Sequence, residues 1–346
     1  MKVLVTGLGS IGQRHVRNLR EILGADAEIW AFRARGRQIV IDAQLRATFG
    51  QAPEEQYGLR TFSALEAALE AGPDVVFVTN PIALHAQTAL AAARSGCHVF
   101  IEKPLSDRWE GIDELVATVR HKGVKVGVGY QLRFHPALRQ IYQSLQEKRI
   151  GRICSAHIHF GEYLPGMHPY EDYRDGHAAR RREGGGAILC LSHELDYAYR
   201  LFGYPLRVFG VGGHLTDLDL DVEDTASLLF EYVMDGRTVP VYVSLNFIER
   251  PPSRTCKIVG DQGTIAWDYY RGCVTEIDAG SGTCTQHDFS KFERNSMFIA
   301  EVSNFLDSIS GGPPMYTSLE EGVAVLRMAL VARTSLEERG IVELPV

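Results

Sequence analysis

Little in this chain signals a specialised class of protein. Its 346 residues carry 36 Lys and Arg against 43 Asp and Glu, a formal net charge of −7. That balance offers no basic footprint for a phosphate backbone and excludes nucleic-acid binding as the main activity. Nowhere does an apolar run approach the roughly 20 residues needed to cross a bilayer, so no membrane association is expected. CxxC pairs are missing: the six cysteines, Cys97, Cys154, Cys190, Cys256, Cys273 and Cys284, stand singly. Single thiols of this kind point to reduced cysteines in a cytoplasmic protein. The first apolar strand starts at Lys2, so no targeting peptide is expected. Internal repeats and low-complexity segments are absent too. His157 and His159 share a strand face at a metal-compatible spacing, but without a Cys or carboxylate partner they read as core or interface histidines, and no metal is expected.

What remains is a typical globular composition, 45% hydrophobic and 23% charged, on a chain long enough for two cores. The first part alternates strand and helix. "KVLVTG", "AEIWAF", "DVVFVT", "HVFIEKP" and "KVGVGYQ" are apolar strands, and the segments between them, such as "SIGQRHVRNLREIL" and the alanine-rich "IALHAQTALAAARSG", have helical spacing. This predicts a parallel sheet with helices on both faces. After about residue 125 longer alternating strands take over, with hairpin signals at Asp235-Gly236 and in "KIVGDQGTIAWD", before helices return at "FIAEVSNFLDSI" and "SLEEGVAVLRMALVARTSLEERG". The expectation is an α/β N-terminal domain over 1–125 and an α+β domain over 126–346 with an open, mainly antiparallel sheet, its last helices free to pack back on the first domain.

Gly7-Leu8-Gly9-Ser10-Ile11-Gly12 fits G-x-G-x-x-G between a strand and a helix, the phosphate-binding turn of a Rossmann dinucleotide fold. Gly7 permits the tight turn, Gly9 admits a pyrophosphate, Gly12 lets helix and strand pack, and the amides near Ser10 and Ile11 present a positive helix end. The acid expected about 20 residues on is replaced by Arg33, Arg35 and Arg37 in "WAFRARGR". Arginine suits a 2′-phosphate, which favours NADP over NAD; a solvated basic loop is the alternative.

Two further stretches carry chemistry. "HVFIEKP" brings Glu102 and Lys103 to the end of a buried strand with Pro104 behind them; the plainer reading is a strand terminator with solvated charges. "GGGAILCLSHELDY" places a glycine run before a helix bearing His193, a candidate general acid/base, and Asp196 three residues on along the same face. Between them, the long irregular region 161–187 mixes aromatic and charged groups. Tyr170, Asp172 and Tyr173 are candidates to pack on a sugar face and bind its hydroxyls, against a solvated loop with ion pairs.

The phosphate loop, "VTNPIALHAQTALAAARSGCHVFIEKPLS", "GVGYQLRFHP" and "GGGAILCLSHELDYAYRLFG", in that order, resemble the glucose-fructose oxidoreductase / inositol dehydrogenase (Gfo/Idh/MocA) family over nearly the whole chain. The resemblance implies an NAD(P)-binding first domain and a second domain whose sheet packs into homodimers or homotetramers. It also implies sugar, polyol or related small-molecule substrates. Lys103 would reach the reacting hydroxyl and the nicotinamide ribose, and Glu102 would orient cofactor groups. Asn80, Pro81 and His85 match the cofactor-side loop, while Gln131 and Arg133 would lie near nicotinamide and substrate. His193 and Asp196 match the family's H-x-x-D. A buried lysine suits the task, since a cation stabilises developing alkoxide charge and burial brings its pKa towards neutrality.

One departure stands out. The family usually carries an aspartate shortly before this histidine, where the chain has Cys190, and a thiol cannot replace a carboxylate in charge balance. The expected activity is an NAD(P)-dependent dehydrogenase acting on a secondary alcohol of a sugar, amino sugar or nucleotide-sugar. The alternatives are a non-catalytic dinucleotide and sugar sensor of the same fold, which Cys190 favours, and an enzyme that recycles a tightly held cofactor.

Overall fold

The computed structural model describes residues 1–24, 26–34 and 36–345. Its first strands are β1 (Lys2–Thr6), β2 (Glu28–Phe32), the small hairpin β3 (Ile39–Ile41) and β4 (Ala47–Phe49), β5 (Arg60–Phe62), β6 (Val75–Val78), β7 (His98–Glu102) and β8 (Val126–Gly129). Apart from the hairpin they form one parallel sheet in the order β5-β2-β1-β6-β7-β8. Helices α1 (Ser10–Leu23), α2 (Pro53–Gln56), α3 (Leu65–Glu70), α4 (His85–Arg94) and α5 (Ile112–Lys122) connect them. Strand order reverses between β1 and β6, and the crevice outside the carboxyl ends of such strands is where an open α/β sheet binds its ligand.

Burial on both faces explains the apolar strands. Val3, Val5, Phe77 and Phe100 pack on one side with Val16 and Leu19 of α1; Leu4, Val76, Val78 and Ile101 pack on the other with the alanines of α4. Those small side chains let helix and sheet approach closely. β8 pairs with β7 and is buried along its length. Val126 and Val128, just past the division expected between 125 and 126, complete the first sheet.

The second part adds α6 (Pro136–Gln146), β9 (Ile153–Gly161), the short turns α7 (Leu164–Met167) and α8 (Ala187–Cys190), α9 (His193–Phe202) and β10 (Arg207–Gly213). After these come β11 (Thr225–Met234), β12 (Arg237–Asn246), β13 (Ser253–Gly260), β14 (Gly263–Asp268), β15 (Cys273–Asp278) and β16 (Cys284–Asp288). The chain closes with α10 (Arg294–Ile309), α11 (Leu319–Glu338) and β17 (Ile341–Glu343). The nine strands run β16-β15-β14-β13-β9-β12-β11-β10-β17, antiparallel except where β12 meets β9. The expected hairpin at Asp235-Gly236 joins β11 to β12, both residues with positive φ, as a tight two-residue turn requires. One face of the sheet buries Phe160, Arg254 and Trp267; the other leaves Phe209, Val211 and Tyr242 exposed.

α10 returns to the first domain, where Val302, Phe305 and Leu306 fill the core beside α1. α11 opens with a capping box, Ser318 accepting the N–H of Glu321 while Glu321 accepts the N–H of Ser318, and packs on β10, α9 and β8. α11 therefore ties the two sheets together.

Candidate active site

At the β1 turn, Gly7 has φ +119°, and a Cβ on Gly12 would come within 2.0 Å of the Gly7 carbonyl oxygen. Only glycine fits that closure. Around the Gly9 Cβ position there is open space for 4 Å, and α1 starts with no side-chain cap. Free first-turn amides facing open space are what a pyrophosphate needs, so Gly7, Gly9, Ser10, Ile11 and Gly12 fit a dinucleotide.

Arg33, expected at a 2′-phosphate, is committed to the Glu54 carboxylate and the Arg37 carbonyl. Arg37 pairs with Glu171 at 3.0 Å. Arg35 lies outside the described residues.

Across the switch point, the β6 and β7 ends are tied together. The ring nitrogens of His85 lie 2.8 Å from the carbonyl oxygens of Pro104 and Asn80, and the Asn80 amide donates to Thr88. Pro81 caps the short turn Ile82–Leu84 that leads into α4. Glu102 does not point at open space; its Oε1 lies 2.7 Å from His15 Nε2 of α1. The phosphate-loop helix and the lysine-bearing strand end are thus joined through one buried pair.

Lys103 Nζ donates to the Cys190 carbonyl at 2.6 Å. The bond falls at the break between α8 and the helix α9 that carries His193. At the break, the Glu194 N–H turns to the Leu191 carbonyl, which leaves the Cys190 carbonyl free for the lysine. Burial depresses the Lys103 pKa, offset in part by Cys190 and by the carboxylates of Glu102 and Glu194. The Cys190 thiol is pushed up to about 12 by burial, so near neutral pH it holds its proton.

His193 begins α9 and is 5% exposed. Its Nε2 lies 3.0 Å from the Gln131 amide nitrogen, which fixes Nε2 as acceptor if the amide donates. Its buried Nδ1 has no partner among the described residues. Burial and the charges of Lys103, Arg254 and Arg294 hold the ring well below the usual histidine range, hence neutral. Tyr130 stands edge-on to it at 5.7 Å.

Arg133 and Asp196, expected at the substrate, instead lock onto each other. The guanidinium donates to both Asp196 oxygens at 2.7–3.0 Å and also meets Glu321 at 2.9 Å. The two residues are 2% and 0% exposed, which leaves neither free for a ligand; they hold α9 against the 131–134 turn and α11. Asp172 caps the short turn after it and pairs with Arg174 on the surface. The Tyr173 hydroxyl accepts the Asp219 N–H at 3.1 Å. Neither Asp172 nor Tyr173 reaches the lysine or histidine. Tyr170, stacked on His168 at 5.4 Å, reaches the phosphate loop, where its hydroxyl lies close to Ser10.

Three residues escaped the sequence reading. Glu194 is fully buried; its Oε1 accepts from Arg254 Nε at 2.8 Å, while Oε2 has no partner among the described residues. Arg254 lies over the Phe160 ring at 3.7 Å. His177 brings the irregular loop to the lysine and is held down to about 4 by burial, with His168 and Lys103 adding to the effect. Glu194 was legible as the residue after His193. Arg254 lies 60 positions away and carries no local signal.

The model described as "Oxidoreductase family, NAD-binding Rossmann fold" matches residues 1–130, and the "GFO/IDH/MocA C-terminal domain" matches residues 138–266. The chain belongs to the Gfo/Idh/MocA family of oxidoreductases. Among similar proteins, myo-inositol 2-dehydrogenase of Thermotoga maritima is 26% identical over 99% of this chain and 98% of its own. UDP-N-acetylglucosamine 3-dehydrogenase of Acidithiobacillus ferrooxidans is 22% identical over 97% of each. The WlbA dehydrogenase of Bordetella pertussis, solved with NADH and UDP-GlcNAcA, superposes with a TM-score of 0.80 at 21% identity, covering 100% of this chain and 99% of that one. Full-length kinship with dehydrogenases favours the enzymatic reading of this Gfo/Idh/MocA chain over a non-catalytic sensor.

Proposed function

We propose that the chain oxidises a secondary alcohol of a sugar, amino sugar or nucleotide-sugar, or reduces the matching ketone, with Lys103 and His193 handling the proton. The observation that carries this is a half-buried lysine and a buried neutral histidine whose Nδ1 has no partner among the described residues, brought together at the switch point beside a dinucleotide cradle. The nicotinamide, when bound, exchanges the hydride with the carbinol carbon. Lys103 stabilises the charge on the reacting oxygen, and neutral His193, as the Nε2–H tautomer with the Gln131 amide turned to accept from it, takes or returns the hydroxyl proton at Nδ1. Glu194, whose second oxygen faces no donor, supplies the carboxylate missing at Cys190 and keeps Lys103 charged.

For the finer choice of coenzyme, the lack of an acid after β2 favours NADP. Because Arg33 and Arg37 already hold Glu54 and Glu171, discrimination against NAD is expected to be weak. The exposed face of the second sheet supports a homodimer or homotetramer: Phe209, Leu229, Tyr242 and His157 stand in register across β10, β11, β12 and β9, with Tyr242 and His157 stacked at 4.6 Å. Six free cysteines support a reducing, cytoplasmic setting, and none of the described helices is long and apolar enough to cross a membrane.

The test is the change in nicotinamide absorbance with NADP and NAD across a panel of sugars, polyols and nucleotide-sugars, for wild type and Lys103→Ala. Turnover is expected in wild type and should fall by a factor of about 10²–10⁴ in the variant. Unchanged turnover in the variant would remove Lys103 from the mechanism. Coenzyme binding without turnover across the panel would favour the sensor.

A further inference from the structure

We propose that a cleft at the start of α10 is an anion subsite that takes a phosphate or diphosphate group on the arm of the substrate remote from the reacting hydroxyl. The assignment rests on the reading of the chain as a dehydrogenase of a sugar-type alcohol. The cleft has a volume of about 160 Å³ and is lined by His135, Tyr269, Tyr270, Phe289, Phe292 and Arg294.

Charge is the first argument. Arg294 is exposed and ion-pairs with no carboxylate among the described residues; the contact it makes is with the Phe298 ring, at 5.8 Å. Below it, Arg14 reaches up from the phosphate-loop helix, 4.8 Å from the same ring. Arg14 is 8% exposed, donates to the neutral Asn295 side chain at 2.9 Å, and has no direct ion pair among the described residues. Burial and the neighbouring charges of Arg294 and Arg17 push it down to about 10, against the opposing charge of Glu102. A buried guanidinium with no direct ion pair is costly, and a ligand anion lessens that cost.

The second argument is the helix end. α10 is 16 residues long, has no side-chain cap and no acid in its first turn, and its positive end lies at Arg294, which lines the cleft. Its N-cap residue, Glu293, is exposed and forms no ion pair with either arginine.

The third is the wall. His135 accepts the Ala137 N–H at Nδ1, and burial holds the ring neutral, so its proton resides on Nε2 and the ring is a donor. The tyrosine and phenylalanine rings offer flat faces to whatever the anion carries. The cleft also adjoins the reacting centre, since Arg294 is close enough for its charge to be felt at His193, and Tyr270 lies near Arg254.

The probe is inorganic pyrophosphate, titrated calorimetrically into NADH-saturated protein so that the phosphate loop is already filled. Pyrophosphate should bind wild type and bind Arg294→Gln about tenfold more weakly, the effect of one charged hydrogen-bonding partner. NADH affinity should be the same in both. Arg294 is exposed, so its replacement leaves the fold intact. Absence of pyrophosphate binding to wild type, or equal binding to the variant, overturns the proposal. Repeating the titration without NADH separates the two readings: if NADH does not bind but pyrophosphate binding still depends on Arg294, the substrate assignment falls with the dehydrogenase reading.

Discussion

His135 sits among Trp267, Tyr269 and Phe292, with ring centroids 4.8–5.6 Å away. Burial, helped by the charge of Arg254, holds it down to about 4. Its folded pKa lies below the unfolded value near 6.5, so between those limits the unfolded chain binds more protons. Stability contributed by neutral His135 is therefore complete above pH 6.5 and lost as pH falls towards 4, at a cost of roughly 3 kcal/mol. Urea midpoints at pH 7.5 and 4.5 should show that loss, and His135→Gln should flatten it. A second residue-scale expectation concerns Glu194→Gln. Removing this negative charge lowers the Lys103 pKa further, so the lysine-dependent limb of the pH–rate profile should move to lower pH and kcat should fall about tenfold or more. A profile that keeps its limb would assign Glu194 a packing role only.

Among the elements, the β1–α1 turn is the least tolerant. Gly12→Ala drives a methyl into the Gly7 carbonyl, so NADH binding measured by fluorescence should be lost or reduced at least tenfold, alongside a stability loss of about 1–3 kcal/mol. The start of α11 is more forgiving: Ser318→Ala removes one half of a capping box and should cost about 1 kcal/mol in chemical denaturation. Local pattern made these elements legible before any coordinates. A glycine-spaced turn and an apolar run leave few alternatives, which is why the phosphate loop, β7 and the Asp235-Gly236 hairpin match expectation. The bond made at the break between α8 and α9 was not legible, because it joins Lys103 to a carbonyl 87 residues away. The lock between Arg133 and Asp196 was not legible for the same reason: spacing shows which residues share a face, but not that a distant arginine saturates it.

At the scale of the molecule, α10 contributes Val302 and Phe305 to the core of the first sheet, and α11 packs on elements of both sheets. The two domains should therefore unfold in one calorimetric transition; two resolved transitions would show that the closing helices couple them weakly. The exposed sheet face makes a separate prediction. Tyr242→Asp places a charge at the centre of the stacked row and should lower the mass found by light scattering without altering NADH binding.

The loop that carries Tyr170 has one more consequence. It reaches from the second domain to the first, with the Tyr170 hydroxyl close to Ser10 and Glu171 on Arg37, beside the phosphate loop that fits a dinucleotide. Departure of the coenzyme then requires a partly exposed ion pair to part, and such pairs weaken as salt screens them. Added salt should accordingly speed NADH release more than it alters sugar affinity, and Glu171→Gln should release NADH quickly even at low ionic strength. Residence time, and with it the order in which the two ligands come and go, would be set by the second domain's grip on the first.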